Sequence, residues 1–227
     1  MSSQAHWPAR ASIPNLLTML RAAMAVGFFV ILEFYRFPDT GVVIANIAVL
    51  LFILAAATDV LDGHLARKWK VTSSFGRIMD PLCDKLLILG AFVYLAGPRF
   101  AIPDHEATPA PFEMATGVYT WMVVVIFARE LFVTTVRAVA EGSGVAFGAK
   151  QLGKVKMVFQ SIAVPVILVL AVDLPATVHP WSGWACAVIA WTTVAVTLAS
   201  GVPYLKGMAH VQAATDNKTA QGHGNNQ

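Results

Sequence analysis

Charge is what this chain has little of. Only 13% of its 227 residues are Asp, Glu, Lys or Arg, against 57% hydrophobic, whereas soluble domains usually carry about 25% charged residues. So small a stock does not cover a water-facing surface, which excludes an ordinary soluble globule and makes lipid the main solvent. Cysteine is nearly absent as well. Cys83 and Cys186 are the only two, each within an apolar run, with no CxxC pair. A disulfide framework and a thiolate metal site are both excluded, and the two thiols are expected to be buried as small apolar groups. No cleaved signal peptide is expected: Arg10 precedes an apolar stretch, but that stretch is long enough to remain as a span. The net charge of +3 and pI of 9.0 are only modestly basic. Their placement around a membrane carries the information, and no nucleic-acid partner is expected.

Apolar runs, by contrast, are abundant. A transmembrane helix needs about 20 residues. Runs of about that length fall at 14–36, 42–58, from Phe75 to Gly97, 115–140, 154–172 and 183–205. The pattern predicts an all-α polytopic membrane protein with six transmembrane helices. Residues 1–11 are expected to be a polar juxtamembrane segment, 12–207 the membrane domain, and 208–227 a disordered tail rich in Gln, Asn, Gly and Thr. The connections at 37–41, 98–114 and 173–182 contain a single basic residue, Arg99. The other side holds Arg10, Arg67, Lys68, Lys70, Arg77, Lys150, Lys154, Lys156, Lys206 and Lys218. The excess of basic residues on the inner side of membrane proteins puts this side, with both termini, in the cytoplasm.

The informative segment begins where the second run ends. Asp59 and Asp62 lie three residues apart and share a helix face; Asp80 and Asp84 lie four apart and share another. The first pair is expected to end one helix and the second to begin the next, so a short loop brings four carboxylates together at the membrane boundary. Carboxylates crowded beside an apolar medium need a compensating cation. With no His or Cys in the group, a hard divalent ion with oxygen ligands fits best. Such an ion commonly grips phosphate too. Gly63 and Gly76 lack side chains where a nucleotide would approach the backbone, and Arg67 is placed to pair with a phosphate. Lys85 projects from a different face than Asp84 and reads as a membrane-edge anchor.

The run from Asp59 to Asp84 resembles the signature of the CDP-alcohol phosphatidyltransferase family, DxxDGxxARx8GxxxDxxxD, with every position present. Its eight specified residues match at a given start by chance on the order of 10⁻¹⁰ at ordinary residue usage. The resemblance implies a metal-dependent enzyme of six transmembrane helices, usually a homodimer. Asp59, Asp62, Asp80 and Asp84 would hold two divalent ions, Mg²⁺ or Mn²⁺, with Asp84 also the catalytic base. Gly63, Arg67 and Ser73 would contact the head group of CDP-diacylglycerol, and Gly76, Asn15 and Thr18 are placed with them. The active site would lie at the cytoplasmic face of the cell's inner membrane, among membrane lipids.

Further segments look like those of phosphatidylglycerophosphate synthases within that family: Ile13-Pro14-Asn15 through Thr18 to Arg21, Ala128-Arg129-Glu130, Val136-Arg137, and Leu152-Gly153-Lys154 with Lys156. Met157 stands where that subfamily usually has Thr. The acceptor alcohol implied is glycerol 3-phosphate. A basic set suits such a dianion: Arg129, mid-way along an apolar helix where charge is costly, Arg137 two turns on, then Lys150, Lys154 and Lys156. Inositol phosphate and serine are the rival acceptors. A divalent-cation transporter is the rival from another class, because acids within membranes also mark ion paths.

Overall fold

The computed structural model describes residues 7–38, 40–69, 74–102, 113–142 and 151–224, with the side chains at 7–15, 60–69, 74–78, 80–81, 151–152 and 206–224 outside the description. Among the described residues six α-helices run in alternating directions: α1 (Trp7–Leu32), α2 (Val42–Trp69), α3 (Ser74–Leu95), α4 (Thr120–Gly142), α5 (Gln151–Asp173) and α6 (Pro180–Gly224). A single 3₁₀ turn, Pro98–Phe100, follows α3. Among the described residues no strand forms, only the isolated bridges Arg36–Thr40 and Ala101–Met114. The all-α expectation holds.

Each helix buries one face and exposes another. α1 packs on α2 and α3, α5 on α2, α3 and α6, and α4 on α3 and α6. Small residues line the buried faces, with Ala25, Ala45, Ala48, Ala55 and Ala91 all inside. They let helix backbones approach closely, the way lipid-embedded bundles gain packing where lipid removes the hydrophobic drive between helices. Phe28 fills the centre, 5.1 Å from Phe29 and 5.5 Å from Phe52. The tip of the Phe29 ring in turn points at Gly90, where a Cβ would sit 2.4 Å from its Cζ. Large apolar side chains also cover the outside, Leu16, Val26, Val43, Leu86, Val124, Val158 and Val188 among them. Soluble monomers rarely expose so continuous an apolar surface.

Among the described residues three stretches are apolar and long enough to cross a membrane, Val42–Asp59, Gly153–Asp173 and Pro180–Leu205, and the described part of α1 adds the apolar run Leu16–Leu32. α3 and α4 fall outside that set for a physical reason. They carry Asp80, Asp84 and Lys85, and Arg129, Glu130, Arg137 and Glu141, so the helices that supply charge to the candidate site are the ones whose hydropathy is diluted.

Helix ends depart from the sequence reading in three places. α1 starts at Trp7, inside the segment expected to be polar and juxtamembrane, with Ala9 and Ala11 carrying the helix back past Pro14. α2 does not stop at its acids but continues to Trp69, because nothing between Asp59 and Arg67 breaks a helix except Gly63. α6 runs on to Gly224, so the backbone at 208–224 is helical where composition pointed to disorder; Ala209, Ala213, Ala214 and Ala220 favour that state. The apolar part of α6 still ends at Leu205.

The end of the bundle remote from the acids is clasped by Arg99. Its guanidinium donates to the carbonyl of Leu32 at 2.9 Å, pairs with Glu33 and lies 5.5 Å above the Tyr94 ring. Its own carbonyl accepts from Phe37 N–H at 2.9 Å. The Arg99 hydrogen bond holds the Glu33 carboxyl below its usual range. Asn46 donates to Asp173 at 2.8 Å and ties α2 to α5 at the same end.

Candidate active site

At the other end two cavities meet. The larger, about 1170 Å³, runs between α2, α3 and α5. Its walls are apolar, with Ile53, Leu87, Ile162, Pro165, Val166 and Leu170 among them, and its polar residues are Arg21, Asp59, Asp84, Lys154 and Ser161. Ile53, Val158, Ile162, Val166 and Val169 are exposed on the outer face of the bundle, so the groove opens sideways. The smaller pocket, about 470 Å³, lies between α3, α4, α5 and α6. It is lined by five cations (Lys85, Arg129, Arg137, Lys154, Lys156) against three acids (Asp84, Glu130, Glu141). Asp84, Lys154 and Met157 line both cavities, so the position where the subfamily usually has Thr is at the junction.

The structure brings Asp59 from α2 and Asp84 from α3 to one cavity, as the spacing predicts. Asp62 and Asp80 are on the same two helices, but their side chains lie outside the described residues, as do those of Asn15, Gly63, Arg67 and Gly76; Ser73 and Lys150 are outside entirely. Among the described residues no three metal-ligating side chains converge, two of the four aspartates being absent from that set. The donors that are described fit a hard cation: carboxylate oxygens at the inner end of an apolar groove, with no sulfur or imidazole. A buried positive charge already stands there. Arg21 of α1 is fully buried, and its Nη1 donates to Asp59 Oδ1. Sequence reasoning did not assign Arg21 to the site. Its signal was a charge inside an apolar run, the feature that singled out Arg129.

Thr18 is buried one turn before Arg21 and lines neither cavity. The basic residues expected at the acceptor all reach the small pocket within the described set, but in different states. Arg129 is engaged inside the protein: Nη1 donates to Glu130 at 2.9 Å and Nη2 to the carbonyl of Ser200 at 3.0 Å, and its stem lies against Gly201 of α6. Lys156 donates to the same Glu130 Oε1. One buried carboxylate thus balances two cations from α4 and α5. Ser200 extends the polar seam inward through the Thr197 carbonyl, at 2.6 Å, and Gln160 donates to the Thr197 hydroxyl at 3.1 Å. Among the described residues Arg137 has no such partner, and its Nε is buried without a hydrogen bond. Lys154 is exposed at the junction. Lys85 does not stand apart from the site, as its different face suggested: it lines the pocket and donates to Thr134 at 2.6 Å. Glu130, Thr134 and Tyr204 also line it, and no spacing in the sequence marked Thr134 or Tyr204.

Comparison with known proteins agrees with this geometry. The family model for CDP-alcohol phosphatidyltransferase matches residues 11–199. A "CDP-diacylglycerol--glycerol-3-phosphate 3-phosphatidyltransferase" of Bacillus subtilis (strain 168) is 33% identical over 200 residues, covering 85% of this chain and 93% of that protein. Proteins with the same name from Cereibacter sphaeroides and Sodalis glossinidius are 32% and 31% identical; each match covers 69% of this chain, and 62% and 76% of those proteins. With the match spanning most of its length and the complete aspartate signature within it, this chain belongs to the CDP-alcohol phosphatidyltransferase family.

Proposed function

We propose that the enzyme transfers the phosphatidyl group of CDP-diacylglycerol to glycerol 3-phosphate, releasing CMP and giving phosphatidylglycerophosphate. The observation that carries this reading is the meeting of the two cavities at Asp84. The apolar groove suits two acyl chains and opens toward lipid, while the cationic pocket suits a small anion. Its five cations exceed its three acids by two, which matches the charge of a phosphate monoester dianion. The names of the relatives point to the same pair of substrates.

In this reading Asp59, Asp62, Asp80 and Asp84 would hold two divalent ions, Mg²⁺ or Mn²⁺, which when bound would supply positive charge to the diphosphate and lower the pKa of a nearby hydroxyl. Arg21 fixes the Asp59 carboxylate in place. Arg137 and Lys154 hold the acceptor's phosphate at the junction, and Asp84 takes the proton of the acceptor hydroxyl. The freed oxygen attacks the phosphorus bearing diacylglycerol; the bond from that phosphorus to the CMP oxygen breaks and CMP leaves. Gly63, Gly76, Arg67, Ser73, Asn15 and Thr18 remain the positions proposed for the head-group side. All six helices cross the membrane, the acidic end and both termini facing the cytoplasm, with the enzyme in the inner membrane as a homodimer.

CMP release from CDP-diacylglycerol in mixed micelles, with glycerol 3-phosphate, serine, inositol and inositol phosphate as rival acceptors, tests the assignment. Glycerol 3-phosphate is expected to be used and the others not. Arg137→Ala is expected to raise KM for glycerol 3-phosphate by about one to two orders of magnitude, the worth of a charge-assisted contact, and to leave KM for CDP-diacylglycerol nearly unchanged. Arg129→Ala is expected to disturb both, because Arg129 also anchors α6. Equal shifts of both KM values in Arg137→Ala would move Arg137 to a structural role.

Orientation is tested by membrane-impermeant thiol labelling of intact cells. The native Cys83 and Cys186 are buried and serve as a silent background. A cysteine at 104 is expected to label from outside, and one at 70 only after the membrane is opened. The reverse pattern would invert the protein.

A further inference from the structure

One contact in the cationic pocket is used neither by the signature nor by the acceptor residues already assigned. Lys85 follows Asp84 on α3 and lines the same pocket. Its Nζ donates to Thr134 Oγ1 of α4 at 2.6 Å. The Thr134 hydroxyl has one proton and gives it to the Glu130 carbonyl, one turn earlier, at 2.8 Å. Toward Lys85 it is therefore an acceptor only. A neutral hydroxyl orients an ammonium without neutralising it. The ion pairs of this pocket join Glu130 to Arg129 and to Lys156, and no described carboxylate pairs with Lys85. Glu130 thus divides the cations into two groups: two whose charge it balances, and others, Lys85 among them, whose charge is left to a ligand. Two of the three ammonium protons of Lys85 remain available, on the helix that carries the proposed base.

We propose that Lys85, oriented by Thr134, binds the phosphate of the acceptor and gives the site its preference for a phosphorylated over a neutral alcohol. This rests on the acceptor reading above and deepens it. An ammonium is a compact point charge that binds a phosphate oxygen by a charge-assisted hydrogen bond. Placed beside the base, it fixes the distance between the acceptor's phosphate and the hydroxyl to be activated.

The test is CMP release by the purified full-length enzyme in mixed micelles, varying each substrate separately. Lys85→Gln is expected to raise KM for glycerol 3-phosphate about tenfold or more and to leave that for CDP-diacylglycerol within about twofold, the pattern of a lost acceptor contact. Lys85→Arg keeps the charge and is expected to recover most of the loss. Thr134→Val is expected to give a smaller rise in the same KM that adds nothing further to Lys85→Gln, as for two residues acting through one contact. A rise in both KM values would make Lys85 part of the bundle's structure, and a fall in kcat alone would make it a neighbour acting on Asp84; either overturns the proposal. Wild-type enzyme that used inositol phosphate in place of glycerol 3-phosphate would overturn the acceptor reading instead, and the same KM split on inositol phosphate would then decide Lys85.

Discussion

Asp59→Ala, Asp62→Ala and Asp80→Ala are each expected to lose nearly all CMP release. Each removes an oxygen donor from a set of four, and hard ions bound through few protein ligands tolerate such a loss poorly. Asp59→Ala also takes a carboxylate away from buried Arg21. Breaking a fully buried pair from one side costs about 3–5 kcal/mol; Asp59 is a quarter exposed, so the cost here is expected to be smaller. Asp59→Ala should therefore lower thermal stability in detergent as well as activity. Asp59→Asn, which keeps a polar partner for Arg21, should recover part of the stability and none of the rate. Titration of Mg²⁺ and Mn²⁺ against activity is the measurement. Metal-dependent turnover near the wild-type level in any one alanine variant would remove that aspartate from the site.

Asp84→Asn is expected to keep CDP-diacylglycerol binding within a few-fold and to lower kcat by about 10²–10⁴, the range for removing a general base. The geometry behind this is specific. Among the described residues Asp84 is the one acid that lines both cavities, so in the proposed reading it would face the lipid phosphate from one side and the acceptor hydroxyl from the other. No described side chain forms an ion pair with it, and the Nζ of its neighbour Lys85 donates to Thr134. Direct binding of the lipid nucleotide and single-turnover CMP release on the purified variant separate the two roles. Turnover near wild type would end the base assignment. Loss of lipid-nucleotide binding would make Asp84 chiefly a metal ligand.

The reaction class was legible through the resemblance of the Asp59–Asp84 run to the family signature, and the carboxylate cluster through helical spacing. Carboxylates three and four residues apart must share a face, and a short loop must bring two such faces together; Asp59 and Asp84 meet as that argument requires. Helix number and approximate extent were legible for the same kind of reason, since apolar runs and Gly/Pro breaks mark them. The division of labour within the basic set was not. Arg129 and Arg137 look alike in sequence, two turns apart on one helix, yet one is tied to Ser200, 71 residues away, and the other is open. Lys85 was misread because its face was judged relative to Asp84 alone. The face of a residue on α3 acquires meaning only when α4 is placed beside it, and Thr134 gives no sign of that from its own surroundings. Arg21 was passed over as part of an N-terminal motif, although its burial against Asp59 makes it a member of the acidic site.

The sideways opening of the large groove has a kinetic consequence. The two substrates arrive from different phases. In the proposed reading the lipid nucleotide would diffuse in the plane of the bilayer and enter past Ile53, Val158 and Ile162, while the small acceptor would come from the aqueous side through the cationic pocket. The rate then follows two unlike concentrations: a mole fraction in the membrane for one substrate and a molarity in water for the other. Adding inert lipid slows the enzyme at fixed total substrate, and the product departs along the same plane into the bilayer without crossing water.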